Sequence, residues 1–436
     1  MSNAAPPPPI PTPDEYFDRL EAWLALEGDA ERERLLAARR RERSGDPERS
    51  GETIVGLRPI EQFTGLAGRW LTDLAKPGGE ELPMNRLRVG SPVVVSDQSA
   101  DRPGLAGVVS RRTATQLQVA LDEPVEARTV RVDLSPDERT RLKQLAAIAR
   151  ARLLEHGEAR LRDALLGLRD PRFEPPAATE APLCFATELN ASQQRAVAHA
   201  LAARDVAVIH GPPGTGKTTT LAEVVFQAVR RGETVLAAAA SNTAVDNLVE
   251  RLIELMPGVV RVGHPARVFE ALRGHTLDEL VERDDTNTFV RQLRREADAL
   301  QRRAQKRSRS RNAGRERGQR FAEARKLRDE ARRLERSIVR SVLDHAAVVA
   351  TTLTLDEELM AGRSFNLLVV DEACQSTEPA VWHAALRADR VVLAGDHRQL
   401  PPTVLSPQAA AEGLAISPME RLVDRFGEGV TRRLDV

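Results

Sequence analysis

The stretch Gly211-Pro-Pro-Gly-Thr-Gly-Lys-Thr218 decides the fold expected for this chain. It follows an apolar run at residues 206–209 and precedes a helical pattern at residues 219–229. A strand, a glycine loop and a helix are the setting in which the pattern GxxxxGK[ST] holds phosphate groups. The glycines let backbone N–H groups face an anion, and the helix adds the positive end of its dipole. The stretch therefore predicts a binding site for a nucleoside triphosphate.

The residues of this loop have separate expected roles. The Lys217 ammonium group is expected to reach the β- and γ-phosphates, and the Thr218 hydroxyl is expected to bind Mg²⁺. The other residues expected to contact the nucleotide are Gly211, Pro212, Pro213, Gly214, Thr215, Gly216 and Thr219. A glycine-rich turn with an accidental lysine does not explain the match of the whole pattern in this setting.

An acidic pair after a second buried run supplies the other half of the expected site. Residues 365–370 predict a buried strand that ends in Asp371 and Glu372. Asp371 is expected in the Mg²⁺ shell, and Glu372 is expected to polarise the attacking water. A further strand at residues 390–394 leads into a loop whose Gln399 is placed to sense the γ-phosphate. We expect these groups and the phosphate loop to meet at the carboxyl ends of adjacent strands.

Strand and helix patterns alternate through the rest of this domain. Residues 234–239 and 347–350 predict buried strands, and a helix is expected to begin at Ala191. Residues 241–247 predict a loop that leads into a helix at residues 248–255. This alternation indicates a doubly wound parallel sheet, in which ligands lie outside the carboxyl ends of the strands.

Short alternating runs before the nucleotide domain predict a β-barrel at residues 54–134. Leu117, Val119 and Leu121 alternate with polar or small residues, and glycines punctuate the neighbouring runs. Short antiparallel strands joined by glycine turns are typical of small barrels. Such barrels often bind single-stranded nucleic acid, but a spacer or packing domain explains the same pattern, so both interpretations stay open.

Helical patterns flank the predicted barrel. An N-terminal helix is predicted over residues 14–53, because Thr12 and Glu15 form a capping box before it. A second capping box begins a helical stalk over residues 135–170, in which Gly157 is expected to break the helix. The apolar positions that predict the packing faces of these two helices are Phe17, Leu20, Leu24, Leu142, Leu145, Ile148, Leu153, Leu161 and Leu165.

A strongly basic segment lies between two strands of the sheet pattern. Residues 291–340 contain nineteen Lys and Arg against seven Asp and Glu. Residues 308–318 divide this segment into two charged helical halves, which predicts a helical hairpin within an insertion at residues 265–344. A charge run is usually a solvated face, but an excess of this size also favours contact with nucleic acid.

The composition limits the expected partners and compartment. The 436 residues suffice for two or three domains, and 64 Lys and Arg balance 64 Asp and Glu, so net charge indicates no partner. Cys184 and Cys374 allow neither a disulfide framework nor a CxxC metal site, which predicts a reducing cytoplasm. Apolar runs such as residues 235–240 are too short to span a bilayer, so no membrane partner is expected. Residues 1–13 are Pro- and Ala-rich and predict a disordered tail.

Five segments of the chain stand in the order of a known set of motifs. They are residues 189–193, 211–218, 241–246, 371–374 and 395–402. They correspond to the Q motif and to motifs I, Ia, II and III of superfamily 1B helicases. The chain resembles the Upf1-like branch of these helicases, the group of the immunoglobulin-mu-binding helicase, from roughly residue 54 onward.

This resemblance implies an α/β fold class: a RecA-like P-loop NTPase sheet with an inserted helical hairpin, preceded by the small β-barrel and the helical stalk. The RecA-like domain would comprise residues 185–264 and 345–436, with ATP and Mg²⁺ as cofactors. Gln193 would contact the adenine edge, and Asn242 and Thr243 would lie near a nucleic-acid backbone. The family couples ATP hydrolysis to 5′-to-3′ movement on single-stranded DNA or RNA, so single-stranded nucleic acid is the expected partner.

Two features depart from the family pattern or add nothing to it. Cys374 stands at a variable position of the acidic motif, where a packed small side chain is the expected explanation. The eight histidines, including His210 and His397, show no metal-binding spacing and are expected to be structural.

Residues 431–436 resemble the segment that precedes the second RecA-like domain of the family. We expect that domain, with its motifs IV to VI and its γ-phosphate arginines, to be absent from these residues. A part of a longer chain, a truncated reading frame and one half of a split enzyme all stay open. The expected function is the motor half of a nucleic-acid-stimulated ATPase and helicase. The alternative is a module that binds ATP and nucleic acid but turns over little until a second half is supplied. Remodelling of the AAA+ type fits the barrel and stalk poorly.

Overall fold

The computed structural model describes residues 12–42, 47–64, 69–98, 104–174, 184–263, 268–305, 313–360 and 362–435. Apart from Thr12 and Pro13, the expected disordered tail lies outside these residues. The helices are α1 Pro13–Glu42, α2 Glu138–Arg152, α3 Ala159–Leu165, α4 Ala191–Ala202, α5 Lys217–Arg230, α6 Asn242–Leu255, α7 Leu277–Arg283, α8 Asp285–Gln305, α9 Ala313–Asp344, α10 Glu357–Met360, α11 Glu378–Ala385, α12 Pro407–Ala409 and α13 Pro418–Phe426.

The first six strands close into an antiparallel barrel. They are β1 Thr53–Thr64, β2 Trp70–Ala75, β3 Pro92–Asp97, β4 Leu105–Arg112, β5 Gln116–Leu121 and β6 Val130–Leu134. Their order around the barrel is β1-β2-β5-β4-β3-β6, so every described strand has two neighbours and no open edge remains between them. Leu117, Val119 and Leu121 are all buried inside, as the alternation predicts. The predicted barrel is therefore confirmed.

The remaining strands form one parallel sheet of seven strands. They are β7 Val206–His210, β8 Val235–Ala239, β9 Val259–Arg261, β10 Val348–Thr352, β11 Phe365–Asp371, β12 Ala388–Gly395 and β13 Thr431–Arg433. Their order is β13-β7-β12-β11-β8-β10-β9, and every described pair is parallel. This confirms the predicted α/β fold class with its P-loop sheet.

Helices cover both faces of the sheet, which explains why its strands are almost wholly apolar. On one face, Ile209 and Val369 pack in a single core with residues of α4, α5 and α6. On the other face, Val208 and Leu368 pack in a second core with residues of α1, α2, α11 and α13. Alternate residues of these strands therefore enter different cores.

The N-terminal helix is shorter than the helix predicted over residues 14–53, because α1 ends at Glu42 and β1 already begins at Thr53. The helix α1 packs against α2, so a helix pair links the barrel to the sheet domain, and an ion pair joins Arg32 to Glu138. The stalk is interrupted between α2 and α3, as expected at Gly157, and the preceding His156 adopts a left-handed conformation with φ of 50°. Leu142 and Leu153, predicted on its packing face, are 58% and 77% exposed because α2 buries the face that carries Ile148 instead.

The basic insertion is a helical hairpin, as predicted. The helices α8 and α9 run side by side in opposite directions, since Arg294 pairs with Glu335 and Arg328 pairs with Asp298. Helix α9 already begins at Ala313, so part of the stretch expected to separate the two halves is helical. Residues 306–312 of that stretch lie outside the described residues.

Across the described ranges, none of the helices has both the length and the apolar character needed to span a membrane.

The attachment of α1 to the sheet domain depends on buried aromatic packing. Phe17 is fully buried, and its ring meets the Trp382 ring edge-on with centroids 5.5 Å apart. We expect Phe17→Ala to lower the free energy of unfolding by roughly 3–5 kcal/mol, the usual cost of a large aromatic deletion in a core. Urea denaturation followed by tryptophan fluorescence measures this change.

Leu142→Ala is the matched control, because it also truncates an apolar side chain in the helix pair. Its side chain is 58% exposed, so we expect a change within about 0.5 kcal/mol. Equal effects of the two substitutions would show that α1 does not pack on the sheet domain in solution.

Candidate nucleotide and nucleic-acid sites

The phosphate loop connects the end of β7 to the first turn of α5, which begins two residues earlier than the predicted helical pattern. Gly214 and Gly216 have φ of 82° and 75°, a left-handed backbone that other residues rarely adopt. The Thr215 hydroxyl donates a hydrogen bond to the Pro212 carbonyl at 2.8 Å, which braces the loop internally. Lys217 Nζ lies over the loop and donates to the Gly211 carbonyl at 2.9 Å. The loop therefore has the shape that places backbone donors around an anion.

The Thr218 hydroxyl and the Asp371 carboxylate meet directly. Thr218 Oγ1 donates to Asp371 Oδ2 at 3.0 Å, although the sequence places the two residues on separate segments. The expectation that their strands are adjacent is wrong, because β12 lies between β7 and β11. The first turn of α5 bridges the gap. A hydroxyl and a carboxylate this close form an oxygen-only donor set, which fits Mg²⁺.

Burial controls the charge of Asp371. The residue is 2% exposed. Burial, with a smaller contribution from the charge of Glu372, raises the pKa of Asp371 to about 6, against the opposing hydrogen bond from Thr218. A cation at this position would favour the ionised carboxylate.

Glu372 sits at a strained point of the backbone. Its φ of 50° and ψ of 41° are left-handed, which is unusual for a residue with a side chain. The half-buried carboxylate accepts from Gln375 Nε2 at 3.3 Å. Such conformations cost about 1 kcal/mol or more and concentrate at active sites. The neighbouring Cys374 is buried, as its expected packing role requires.

Gln399 lies beside a cluster that sequence spacing did not reveal. Its Nε2 donates to Asp396 Oδ2 at 2.9 Å, while His210 Nε2 lies 3.1 Å from Asp396 Oδ1. Although burial opposes the charge, hydrogen bonds from Gln399, the following backbone and His210 lower the pKa of Asp396 to about 2. Burial lowers the pKa of His210, so its neutral ring donates to the carboxylate.

His397 completes this cluster, with its ring centroid 4.5 Å from that of His210. Together with Asp396 the two histidines offer ligand atoms within 4.8 Å of one another. Both carboxylate oxygens, however, already accept hydrogen bonds from protein donors. We therefore assign the cluster to holding the loop of Gln399 rather than to a metal ion.

Gln193 is tied to the phosphate loop from outside. Its side chain accepts from the Asn190 backbone N–H at 2.8 Å, which completes the capping box of α4, and its Nε2 donates to the Thr215 carbonyl at 3.0 Å. A Cβ on Gly216 would lie 2.5 Å from that same nitrogen. Gln193 thus supports the loop, and its contact with adenine stays a prediction.

The segment after β8 is already helical from Asn242, so the predicted loop at residues 241–247 is wrong. Ser241 accepts from the Ala244 N–H at 3.2 Å and caps α6, which begins at Asn242. Asn242 is half-buried and Thr243 is exposed. Both stand in the first turn of α6, at the same carboxyl edge of the sheet as the phosphate loop.

Asn242 lines a large cavity between the barrel, the sheet and the insertion. Its volume is about 1010 Å³. The barrel contributes Val93 and Val108, the end of β10 contributes Thr351 and Thr352, and further positions come from α2, α7 and α9. The cavity therefore joins three units that the sequence predicted separately.

The charged side chains in this cavity are of both signs, and several acids already have basic partners. Asp344 pairs with Arg363. Burial raises the pKa of Asp278 to about 6, with smaller contributions from nearby carboxylates. Arg336 and Arg340 are exposed on α9, and neither makes an ion pair within the described residues. These two arginines have no carboxylate partner within the described ranges and can therefore meet a phosphate.

The fully buried ion pair beneath the cavity was also not predicted. Arg261 Nε donates to Asp246 Oδ1 at 2.8 Å, and both side chains are 0% exposed. Asp246 belongs to residues 241–246, which resemble a helicase motif, but the sequence predicted no role for it. The sequence did contain a signal for this ion pair: Arg261 lies within the otherwise apolar run 259–262, and a charge in a buried strand requires a partner.

The raised pKa of Asp371 makes a prediction for stability in the absence of nucleotide. The folded pKa of about 6 lies above the ordinary value of 3.8, so folding is penalised as the pH rises through this interval. We expect Asp371→Asn to increase the free energy of unfolding at pH 8 by on the order of 2–3 kcal/mol, with a smaller gain at pH 5. Urea denaturation without Mg²⁺ or nucleotide at both values measures it.

Asp389→Asn is the control, because this exposed carboxylate lies at the opposite end of the same sheet. We expect no comparable pH-dependent gain there. A gain for Asp371→Asn that is equal at pH 5 and pH 8 would contradict the burial of its charge.

Comparison with known proteins gives consistent matches. The profile of the AAA domain family matches residues 188–407. The chain is 37% identical to the DNA-binding protein SMUBP-2 of Mus musculus over 433 residues, 95% of this chain and 43% of that protein. It is 32% identical to the DNA polymerase alpha-associated DNA helicase A of Schizosaccharomyces pombe over 414 residues, 89% of this chain and 61% of that protein.

A third relative is the regulator of nonsense transcripts 1 homolog of Drosophila melanogaster. It is 34% identical over 281 residues, 63% of this chain and 21% of that protein. The chain thus spans less than two thirds of each of these relatives. With its P-loop sheet, its barrel and these matches, the chain belongs to the Upf1-like family of superfamily 1 helicases, which are ATP-dependent, and it carries their AAA domain.

Proposed function

We propose that the chain is the first motor half of a translocase that moves 5′ to 3′ on single-stranded nucleic acid, DNA, RNA or both, and hydrolyses Mg·ATP. One observation carries the proposal: the phosphate loop with its acidic pair and a cavity with charged side chains lie at the same carboxyl edge of one sheet. Thr218 and Asp371 meet at one part of that edge, and Asn242 faces the cavity at another. Groups on a shared edge can respond to one another through small movements of the same strands.

The nucleotide site has a chain of groups with distinct tasks. Thr218 and Asp371 would hold Mg²⁺, which neutralises charge on the β- and γ-phosphates when it is bound. Lys217 would exchange its contact with the Gly211 carbonyl for the phosphates. Glu372 would orient and deprotonate the attacking water. Gln399 is held by Asp396 beside the site and would report the γ-phosphate to the loop that carries it.

The lining of the cavity is better suited to binding a single strand than to reading the bases of a duplex. Asn242, Thr351 and Thr352 present short polar side chains along the sheet edge, which suits contacts to a sugar–phosphate backbone. Arg336 and Arg340 add positive charge from the insertion. Backbone contacts of this kind do not read sequence, as a translocase requires.

Efficient ATP hydrolysis would need further catalytic groups that face the nucleotide from the opposite side. The groups named for ATP hydrolysis all stand at the edge of one sheet, whereas phosphoryl transfer usually requires an arginine from the opposite side. We therefore include in the proposal a second RecA-like unit, in cis or in trans, that faces this edge. The alternative function is a module that binds ATP and nucleic acid and hydrolyses slowly until that unit is present.

The proposal predicts a large difference in ATP hydrolysis between residues 1–436 alone and the same residues joined to a second RecA-like unit. We expect single-strand-stimulated turnover to be roughly 10³-fold lower without that unit, because the missing arginine is worth 10³–10⁵ in rate. Strand displacement should be undetectable without it. Steady-state phosphate release and a strand-displacement assay measure both quantities.

Two variants control this experiment. Glu372→Gln should remove the stimulated turnover, which excludes a contaminating ATPase. Lys217→Ala should abolish binding of a fluorescent ATP analogue at concentrations that saturate the parent protein. Robust, Glu372-dependent unwinding by residues 1–436 alone would refute the need for a second unit.

The two cavity arginines make a separate prediction about salt. Each phosphate contact to a single strand contributes about 0.7 to the slope of log affinity against log salt. We expect Arg336→Gln with Arg340→Gln to weaken single-strand binding and to reduce this slope by roughly 1.4. Fluorescence anisotropy at several salt concentrations measures the slope.

Arg325→Gln with Arg333→Gln is the matched control. These arginines are also exposed on α9 but do not line the cavity, so the same charge is removed elsewhere. An equal loss of slope in both double variants would assign the effect to the general charge of the insertion rather than to the cavity.

A further inference from the structure

The guanidinium group of Arg261 has three different hydrogen-bond partners. The side chain is fully buried at the end of β9, next to a part of the cavity that Val262 and Gly263 line. The guanidinium Nε donates to Asp246 Oδ1 at 2.8 Å, and Nη1 donates to the Val262 carbonyl at 2.6 Å. The remaining arm, Nη2, donates to Asn242 Oδ1 at 2.8 Å. A guanidinium group has five N–H donors, so the carboxylate and the carbonyl alone would leave donors of this buried group unsatisfied, and the Asn242 oxygen accepts from one of them.

The contact fixes which end of the Asn242 amide faces which way. A guanidinium group donates hydrogen bonds and cannot accept them, so the atom that meets Nη2 must be the amide oxygen. The amide is planar, and its nitrogen therefore points away from Arg261. Because Asn242 lines the cavity, the two N–H donors of Nδ2 are the part of the amide left for a ligand.

The donors have the right chemistry for a phosphate oxygen, which only accepts hydrogen bonds. An asparagine free to rotate would present its oxygen to the cavity for part of the time, and that oxygen would repel a phosphate. The hydrogen bond from Arg261 Nη2 holds the Asn242 amide in one orientation, so that its oxygen does not face the cavity. The charge of the arginine is neutralised by Asp246, so it acts on the ligand through the asparagine rather than directly.

The same ion pair also reaches the base of the helical insertion. The second carboxylate oxygen, Asp246 Oδ2, accepts from the Phe269 N–H at 2.9 Å, near the start of the insertion. The backbone of Arg261 forms a parallel bridge with that of Thr276, which caps α7. A Cβ on Gly263 would lie 2.6 Å from Arg261 Nη1. The guanidinium therefore sits where the first turn of α6 and the start of the insertion meet.

We propose that Arg261 is a positioning residue for nucleic-acid binding. It locks the Asn242 amide so that its N–H donors face a backbone phosphate of a single strand in the cavity. This inference rests on the proposed function, because it assigns a role to one contact within the proposed nucleic-acid path.

A double-mutant cycle separates positioning from a structural role. Arg261→Lys keeps a positive charge beside Asp246 but lacks the second arm that reaches Asn242. We expect Arg261→Lys and Asn242→Ala each to weaken binding of a fluorescent single-stranded oligonucleotide roughly tenfold, the effect of one hydrogen bond to a charged group. In the Asn242→Ala background, Arg261→Lys should have no further effect, because its partner is gone. Affinity for a fluorescent ATP analogue should stay within about twofold of the parent in all variants.

The outcomes are distinguishable. Full additivity of the two substitutions would overturn the proposal, since a structural arginine would act equally in both backgrounds, and so would an unchanged affinity for Arg261→Lys. If the parent protein binds ATP but no single strand, the proposed function itself fails, and the inference with it.

Asn242→Asp provides a test that leaves Arg261 intact, in case the lysine variant does not fold. Aspartate still accepts from the guanidinium, but it replaces the N–H donors with an oxygen that repels phosphate. We expect a loss of oligonucleotide affinity at least as large as that of Asn242→Ala, whereas parental affinity would refute the proposal. Asn247→Ala is the control, because this exposed asparagine of the same helix is outside the cavity lining, and it should bind like the parent.

Discussion

The hydrogen bond between the Thr218 hydroxyl and the buried Asp371 carboxylate is the interaction on which the arrangement of this protein depends. It requires two segments far apart in sequence to end at the same edge of a parallel sheet, with a third strand between them. Only helices on both faces can bury such a sheet. The barrel, the stalk and the insertion are therefore all attached at loops of this edge or to helices that cover a face.

Ionisation of the Asp371 carboxylate at this buried position costs free energy, and this cost affects how the site responds to a cation. Burial favours the neutral form of Asp371, whereas metal binding requires the ionised form. The nearby Glu372 adds repulsion and a left-handed backbone. A bound cation would offset both the burial penalty and the repulsion from Glu372. This is a physical reason for the site to respond strongly to its ligand.

Much of the fold could be predicted because its determinants are local. The phosphate loop, the capping box of α4 and the apolar strands each depend on residues within one short segment. Pairings through space could not be predicted in this way: the contacts of Arg261 with Asp246 and of His210 with Asp396 join residues 15 and 186 positions apart. The error at residues 241–247 has a local cause, since polar residues resemble a loop unless Ser241 is identified as the helix cap. The cytoplasmic compartment stays a prediction.

The helix pair of α1 and α2 also connects the nucleotide domain to the barrel, so that a tilt of α1 would move the barrel. The 30 residues of α1 correspond to about 45 Å at 1.5 Å per residue. Its first half is anchored on the nucleotide domain as far as Glu27, whose carboxylate accepts from the backbone N–H groups of Leu405 and Ser406, shortly after the loop of Gln399. The last 15 residues lead to the barrel. A tilt of about 5° at Glu27 would displace the end of these residues by about 2 Å over roughly 22 Å, so a rearrangement near the γ-phosphate would be passed on to the side of the cavity that the barrel lines.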